Sequence, residues 1–193
     1  NNTSQVYVGP GGRLISNDSS FAITNLYIDN GAILNSGDFT GNFVDSPLYI
    51  GAAAIPVISN NSRFQDVNIL SGTLATGQTL SLNAIGTSTT ALLRYLFPGG
   101  FTVASGATLN VAANLPLLLG AGQTLNVAGT MNLSAGDAVT LQYAYGGTTR
   151  IVVSGVLNAP SSTFAAATST NNTTQLYVAS GGRLISTNSI YTL

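Results

Sequence analysis

One phrase recurs along this chain: an alternating apolar triplet, a turn bearing Gly or Asn, and a second apolar pair. Val6-Tyr7-Val8 precedes Gly9-Pro10-Gly11-Gly12 and then Leu14 and Ile15, while Leu26-Tyr27-Ile28 precedes Asp29-Asn30-Gly31 and then Ile33 and Leu34. Leu48-Tyr49-Ile50-Gly51 begins it again, weaker copies start at Val67, Phe101, Leu125 and Ile151, and a full copy starts at Leu176. The steps are 20, 22, 19, 34, 24, 26 and 25 residues. Alternation of period two marks a strand with one buried face, and Gly and Asn supply the turns between strands. Several short strands in each 19 to 26 residues match one coil of a parallel β-solenoid, in which each coil hydrogen-bonds to the next. The expected fold is all-β, a right-handed parallel β-helix with about seven or eight coils per 170 residues. The 34-residue step implies either an extra short coil, with Thr79–Leu82 as a further strand, or one coil with a large inserted loop.

A longer period encloses the short one. Asn1 to Phe21 returns as Asn171 to Tyr191 without a gap, with 13 of 21 positions identical. Residues 1–170 therefore read as one solenoid repeat unit and 171–193 as the first coil of the next copy. With coils about 4.8 Å apart, eight of them advance about 38 Å, so the recurrence predicts an axial repeat of that length.

Charge narrows the function. Only 6% of residues are charged, five Arg and six Asp, and there is no Lys, Glu, His or Cys. A net charge of -1 without a basic cluster offers nothing to phosphate backbones or anionic lipid, so nucleic-acid and membrane-surface partners are not expected. The missing residue types remove thiolate metal sites, disulfides and most general bases and nucleophiles. No apolar run approaches the ~20 residues of a membrane span. A first residue of Asn fits a mature or excised fragment, with any export signal outside this segment. No cofactor is implied, and no enzymatic activity is expected.

Alternation assigns faces. Val6 and Val8, Leu26 and Ile28, Leu48 and Ile50, Leu80 and Leu82, Leu125 and Val127, Ile151 and Val153, and Leu176 and Val178 are expected inside. Tyr7, Tyr27 and Tyr49 then stack on one outer face, and Tyr177 restarts the set; the ring faces offer either a stabilising ladder or a platform for sugars. Asn35, Asn110, Asn132 and Asn158 follow the turns at related positions and form a candidate amide ladder. Two segments break the rhythm. Thr90 to Gly100 carries Leu92, Leu93, Leu96 and Phe97 at helical spacing before Pro98, which predicts a short helix available for local packing or for a lateral contact between chains. Asn114 to Gly120 has three successive leucines expected to be buried against a neighbour, and Pro160 to Thr170 reads as a coil corner rather than a linker.

Candidate chemistry is sparse. A polysaccharide-degrading β-helix needs converging carboxylates, and Asp29 and Asp45 are the pair that adjacent coils would bring closest, without a basic residue nearby in sequence. The competing role for Asp18, Asp29, Asp38, Asp45, Asp66 and Asp137 is the capping of backbone groups at corners. The repeated nonapeptide of calcium-binding solenoids is absent, leaving at most an isolated calcium at an Asp corner. The Gly-rich turns lack the lysine and helix of a phosphate-binding loop. Asn-x-Ser/Thr sequons occur at Asn1, Asn2, Asn17, Asn60, Asn132, Asn171 and Asn172, and their modification depends on the host.

The phrases SGATLNV, GAGQTLNVAGTMNLSAGDAVTL and VSGVLNAP resemble the β-helical stalks of secreted bacterial adhesins and the passenger domains of autotransporters. That resemblance implies an extracellular or cell-surface location and a structural or adhesive role, and it transfers no functional residue. The leading expectation is a structural tandem-repeat segment whose partner is itself, stacking end to end, with possible lateral bundling, into a fibre, sheath or stalk. The alternatives are a surface-glycan-binding module using the outer tyrosines and, more remotely, a β-helix enzyme.

Overall fold

In the computed structural model, which describes residues 4–143, 146–167 and 173–193, the recurring phrase becomes one recurring backbone turn. The Gly12 N–H donates to the Gly9 carbonyl at 2.9 Å, and Gly11 between them has φ 74°. The same closure joins Asp29 to Ala32 around Gly31, Asn35 to Asp38 around Gly37, Ala104 to Ala107 around Gly106 and Ser134 to Asp137 around Gly136. A positive φ at the third turn position strains any side chain with a Cβ, so Gly recurs there. The fourth residue often caps the first: Asp38, Asp137 and Gln78 accept the N–H groups of Asn35, Ser134 and Ala75 through their side chains.

Between these turns the strands pair in parallel with counterparts one coil away. The chain divides into two compact units, Asn1–Leu70 with Ala84–Tyr95 and Ser71–Asn83 with Leu96–Leu193. In the first unit Gln5–Val8, Asn25–Ile28, Leu48–Ile50 and Asp66–Ile69 pair in that order, with Val6, Leu26, Leu48 and Val67 in register. Ser16–Asn17 pairs with Phe39–Thr40, and Ser20–Phe21 with Phe43–Val44. The second unit has three sheets. Pro116–Leu119, Ala138–Leu141, Thr163–Ala166 and Ile190–Thr192 follow one another in one of them. Another runs Gly72–Leu74, Phe101–Val103, Thr124–Val127, Thr148–Val153, Thr173–Val178. A third runs Thr79–Leu82, Thr108–Val111, Thr130–Asn132, Val156–Pro160, Arg183–Thr187. The fold is a parallel β-solenoid, nearly all parallel β, with about seven turns counted over the two units.

The core is the set of inward alternating positions. Leu26, Ile28, Leu48, Ile50, Leu80, Leu82, Leu125, Val127, Ile151 and Val153 are all buried. Val6, Val8 and Leu176 are half-buried and Val178 is exposed, because their strands pair with a coil on one side only.

Three expectations are revised. Thr90–Gly100 holds no helix: Arg94–Phe97 is a strand in which Tyr95 and Phe97 are buried, and Leu93 before it is buried too. Helical spacing counted the leucines but missed Tyr95, which completes a period of two. Among the described residues the helical element is instead a 3₁₀ segment, Ala52–Ile58, whose Ile55 and Ile58 are buried; three residues apart, they share one face of such a helix. The 34-residue step is neither an added coil nor a loop alone. Val67 pairs with Leu48, whereas Phe101 pairs with Gly72 in a different sheet, so the sequence count changed face midway. Pro160–Thr170 is not merely a corner, since Thr163–Ala166 is a strand with Phe164 fully buried; residues 168–170, like the sequons at Asn1, Asn2, Asn171 and Asn172, lie outside the described residues. Gln5–Val8 shares a sheet with Asn25–Ile28, while its sequence copy lies in the five-stranded sheet that Thr173–Val178 closes.

Coil spacing leaves no room at some corners. A Cβ on Gly155 would collide with the backbone carbonyls of Gly129 and Ala128, which cannot move aside as a flexible side chain can. Gly155→Ala is therefore expected to lose more than about 2 kcal/mol in urea unfolding, well beyond the roughly 0.5 kcal/mol of an ordinary surface change.

Candidate functional site

Three outward tyrosines meet as alternation predicts. Tyr7, Tyr27 and Tyr49 are in register on successive strands, with ring centroids 5.3 and 5.4 Å apart and interplanar angles of 31° and 18°. The rings lean on one another along the stack, so each interior face is spent on a neighbouring ring. Tyr7 is 54% exposed, and its hydroxyl donates to Asp29 Oδ2 at 2.6 Å. That bond to a carboxylate raises the Tyr7 pKa, and burial with the nearby Asp29 charge raises that of Tyr27. Tyr177 is not in this stack. It is in register with Val152, and among the described residues no ring lies against it.

Five of the six acids, Asp29, Asp38, Asp45, Asp66 and Asp137, are engaged by separate partners. Arg13 forks onto Asp38, Nε to Oδ2 at 2.9 Å and Nη2 to Oδ1 at 2.7 Å, and Arg94 does the same to Asp66 at 2.7 and 2.9 Å. Arg63 Nη2 lies 2.8 Å from Asp45 Oδ1, with its guanidinium over the Phe43 ring. Basic residues distant in sequence thus reach the acids across coils, which reading the chain linearly missed. Asp29 and Asp45 are held by different partners, Tyr7 and Arg63, rather than as a pair. Asp137 is buried and accepts the Leu115 and Ser134 N–H groups at 3.0 and 2.7 Å; burial raises its pKa against those bonds. Among the described residues no group of three His, Cys, Asp or Glu is placed to hold a metal ion.

Amides supply the second set of ladders. Asn132 donates to Asn110 Oδ1 at 2.8 Å and Asn158 donates to Asn132 Oδ1 at 2.6 Å, so three of the four expected residues form the ladder. Asn35 does not join them: it is exposed at the turn that Asp38 caps, and the register of the ladder continues from Asn158 to Ile185 instead. A ladder that sequence reasoning missed lies inside the first unit. Asn42 and Asn61 are fully buried; Asn42 donates to Asn61 Oδ1 and to the Ser16 carbonyl, and accepts from Ser16 Oγ and the Ser19 N–H. Asn61 donates to the Phe39 and Ile58 carbonyls. Burial of an amide is not visible in a local pattern, and the only available signal was the placement of Asn42 and Asn61 between predicted strands. Of the residues proposed for lateral contact, Leu93 and Phe97 are in the core, Leu96 is half-buried and Leu92 is exposed.

These arrangements bind coil to coil: the hydrogen-bonded side chains named above each reach a residue at least 18 positions away or close a turn. No family model, curated protein or solved structure matches the chain. Among the described residues no helix is long and apolar enough to cross a membrane.

Two measurements follow from this chemistry. Asn132 both donates and accepts within its ladder, so Asn132→Ala is expected to cost about 1 to 2 kcal/mol in denaturant unfolding. The Arg13 fork, with the Asn35 N–H, lowers the Asp38 pKa from its ordinary 3.8 to about 2. The folded chain thus binds this proton less readily than the unfolded chain, so the stabilisation is complete above about pH 4 and is lost as pH falls towards 2. Asp137 acts in the opposite sense, since a raised pKa relieves a penalty as pH falls. Asp38→Asn is expected to flatten the fall in stability between pH 4 and 2, read as unfolding midpoints across that range.

Proposed function

We propose that this chain is a non-enzymatic structural segment of an extracellular or cell-surface fibre, sheath or adhesin stalk, lengthened by coils stacking end to end. The observation that carries the reading is the repetition of the same aromatic and polar contacts from one coil to the next. The ladders of Tyr, Asn and Arg–Asp pairs repeat at coil spacing, so an added coil of the same kind meets a surface already used once within the chain.

Low charge supports the same reading, because weak repulsion lets neighbouring solenoids bundle laterally. The resemblance of the Gly-x-Leu-Asn phrases to adhesin stalks supports the location. Electron microscopy of the purified protein is expected to show filaments or end-to-end multimers growing with concentration. Short discrete particles at every concentration would overturn the proposal.

A further inference from the structure

One outer face of the second unit carries a two-dimensional pattern. In the sheet that starts at Thr79–Leu82, the inward positions Leu80, Leu109, Met131 and Leu157 are buried, and the residues on either side of each point outward. One outward rank is Thr79, Thr108, Thr130 and Val156, and the other is Ser81, Asn110, Asn132 and Asn158, every member in register with the next. The phrase Thr-x-Asn or a near variant thus repeats on four successive coils, and on the fifth strand Arg183 and Ile185 take the two positions and end it. Thr79 and Ser81 are exposed and the other six are half-exposed.

The polar groups of this face are held still without being used up. Asn132 donates one amide hydrogen to Asn110 and accepts one from Asn158, which fixes its plane and leaves it a further donor and a further acceptor site. Among the described residues the hydroxyls of Thr79, Thr108 and Thr130 hydrogen-bond to no other protein group. Val156 keeps the shape of Thr without the hydroxyl. The four strands contain no charged residue, so no tightly held hydration shell interrupts the pattern. Ladder stabilisation accounts for the Asn–Asn bonds, and it leaves the hydroxyls and the spare amide groups facing water.

Spacing decides which ligand can engage all of these groups at once. Neighbouring strands lie about 4.8 Å apart and alternate residues of one strand about 6.7 Å apart, so the face is a grid of those two lengths. Water molecules joined tetrahedrally by hydrogen bonds of about 2.75 Å, as in ice, repeat at about 4.5 Å in one direction and about 7.3 Å in a perpendicular one. Along the ranks the misfit is about 0.3 Å per coil and stays below about 1 Å across the four coils. A single sugar or short peptide spans only a few of the groups, whereas a water lattice meets every one.

We infer that the Thr–Asn face of residues 79–158 binds the surface of ice, through water ordered on its ranks of Thr hydroxyls and Asn amides. Because the ladder already fixes the amides, little side-chain freedom is lost when the lattice docks. Binding at this face is independent of end-to-end stacking, since it uses the side of the solenoid and not its ends.

The test holds a single ice crystal in a dilute solution of the full chain and follows it by microscopy as the temperature is lowered slowly. The unaltered chain is expected to facet the crystal and to arrest its growth over an interval below the melting point. Thr108→Tyr, which raises a ring above the middle of the grid, and Thr130→Lys, which puts a hydrated charge there, are each expected to abolish that interval. Circular dichroism and the unfolding midpoint identify the folded variants; should one misfold, the other decides. Thr102→Tyr, at a half-exposed position of a different sheet, is expected to leave the interval unchanged.

The assignment is overturned if the unaltered chain leaves ice growth unaffected, if the folded variants keep the interval, or if Thr102→Tyr also removes it. Retention on a crystalline polysaccharide that Thr108→Tyr abolishes, without any effect on ice, gives the face to a sugar lattice and overturns it likewise. Filaments without ice binding leave the fibre reading standing and remove this one; ice binding without filaments does the reverse.

Discussion

The backbone hydrogen bond between one coil and the next is the constraint on which the rest depends. In a parallel solenoid every strand must find its donors and acceptors about 20 to 30 residues away, because nothing within one coil can satisfy them. The coil must therefore return to the same height at each turn, and the Gly-centred turns allow that return. Core packing follows from it: once Val6, Leu26, Leu48 and Val67 are stacked by backbone pairing, their side chains have no choice but to line one interior.

Side-chain ladders work on top of that frame and set its register. Backbone pairing alone tolerates a slip of two residues without exchanging inside and outside. Stacked Tyr7, Tyr27 and Tyr49, the amides of Asn110, Asn132 and Asn158, and the Arg13–Asp38 and Arg94–Asp66 forks do not, since each needs a particular residue opposite it. With so few charges in the chain, placing three Arg–Asp pairs across coils spends half of the acids on coil-to-coil contacts. The buried Asn42–Asn61 network does the same work inside, where an unsatisfied amide is costly. Coil-to-coil stacking as proposed would use these same interactions.

Particular elements show how far the chain could be read. Leu26, Ile28, Leu48 and Ile50 were legible as core because alternation is local and each strand is short. The tyrosine stack was legible because three phrases of the same pattern, Val6-Tyr7-Val8, Leu26-Tyr27-Ile28 and Leu48-Tyr49-Ile50, carry it. The Arg94–Phe97 strand was not, since Leu92, Leu93, Leu96 and Phe97 fit a helical period nearly as well as a strand, and only pairing beside Asp66 arbitrates. Asn35 looked like a ladder residue because it follows the same turn phrase as Asn110, yet its coil carries the Asp38 cap there and turns away.

By itself the sequence determined that the chain is all-β, that Gly turns divide it into coils, and which residues of each strand point inward, because these depend on contacts within a few residues. The tertiary structure decided which sheet each strand joins, which Arg meets which Asp, and which amides are buried. Those outcomes depend on the path length of every coil, and a corner a few residues longer or shorter passes the next strand to another face. So the copy of Gln5–Val8 keeps its turn and its alternation, yet forms part of Thr173–Val178 in a different sheet.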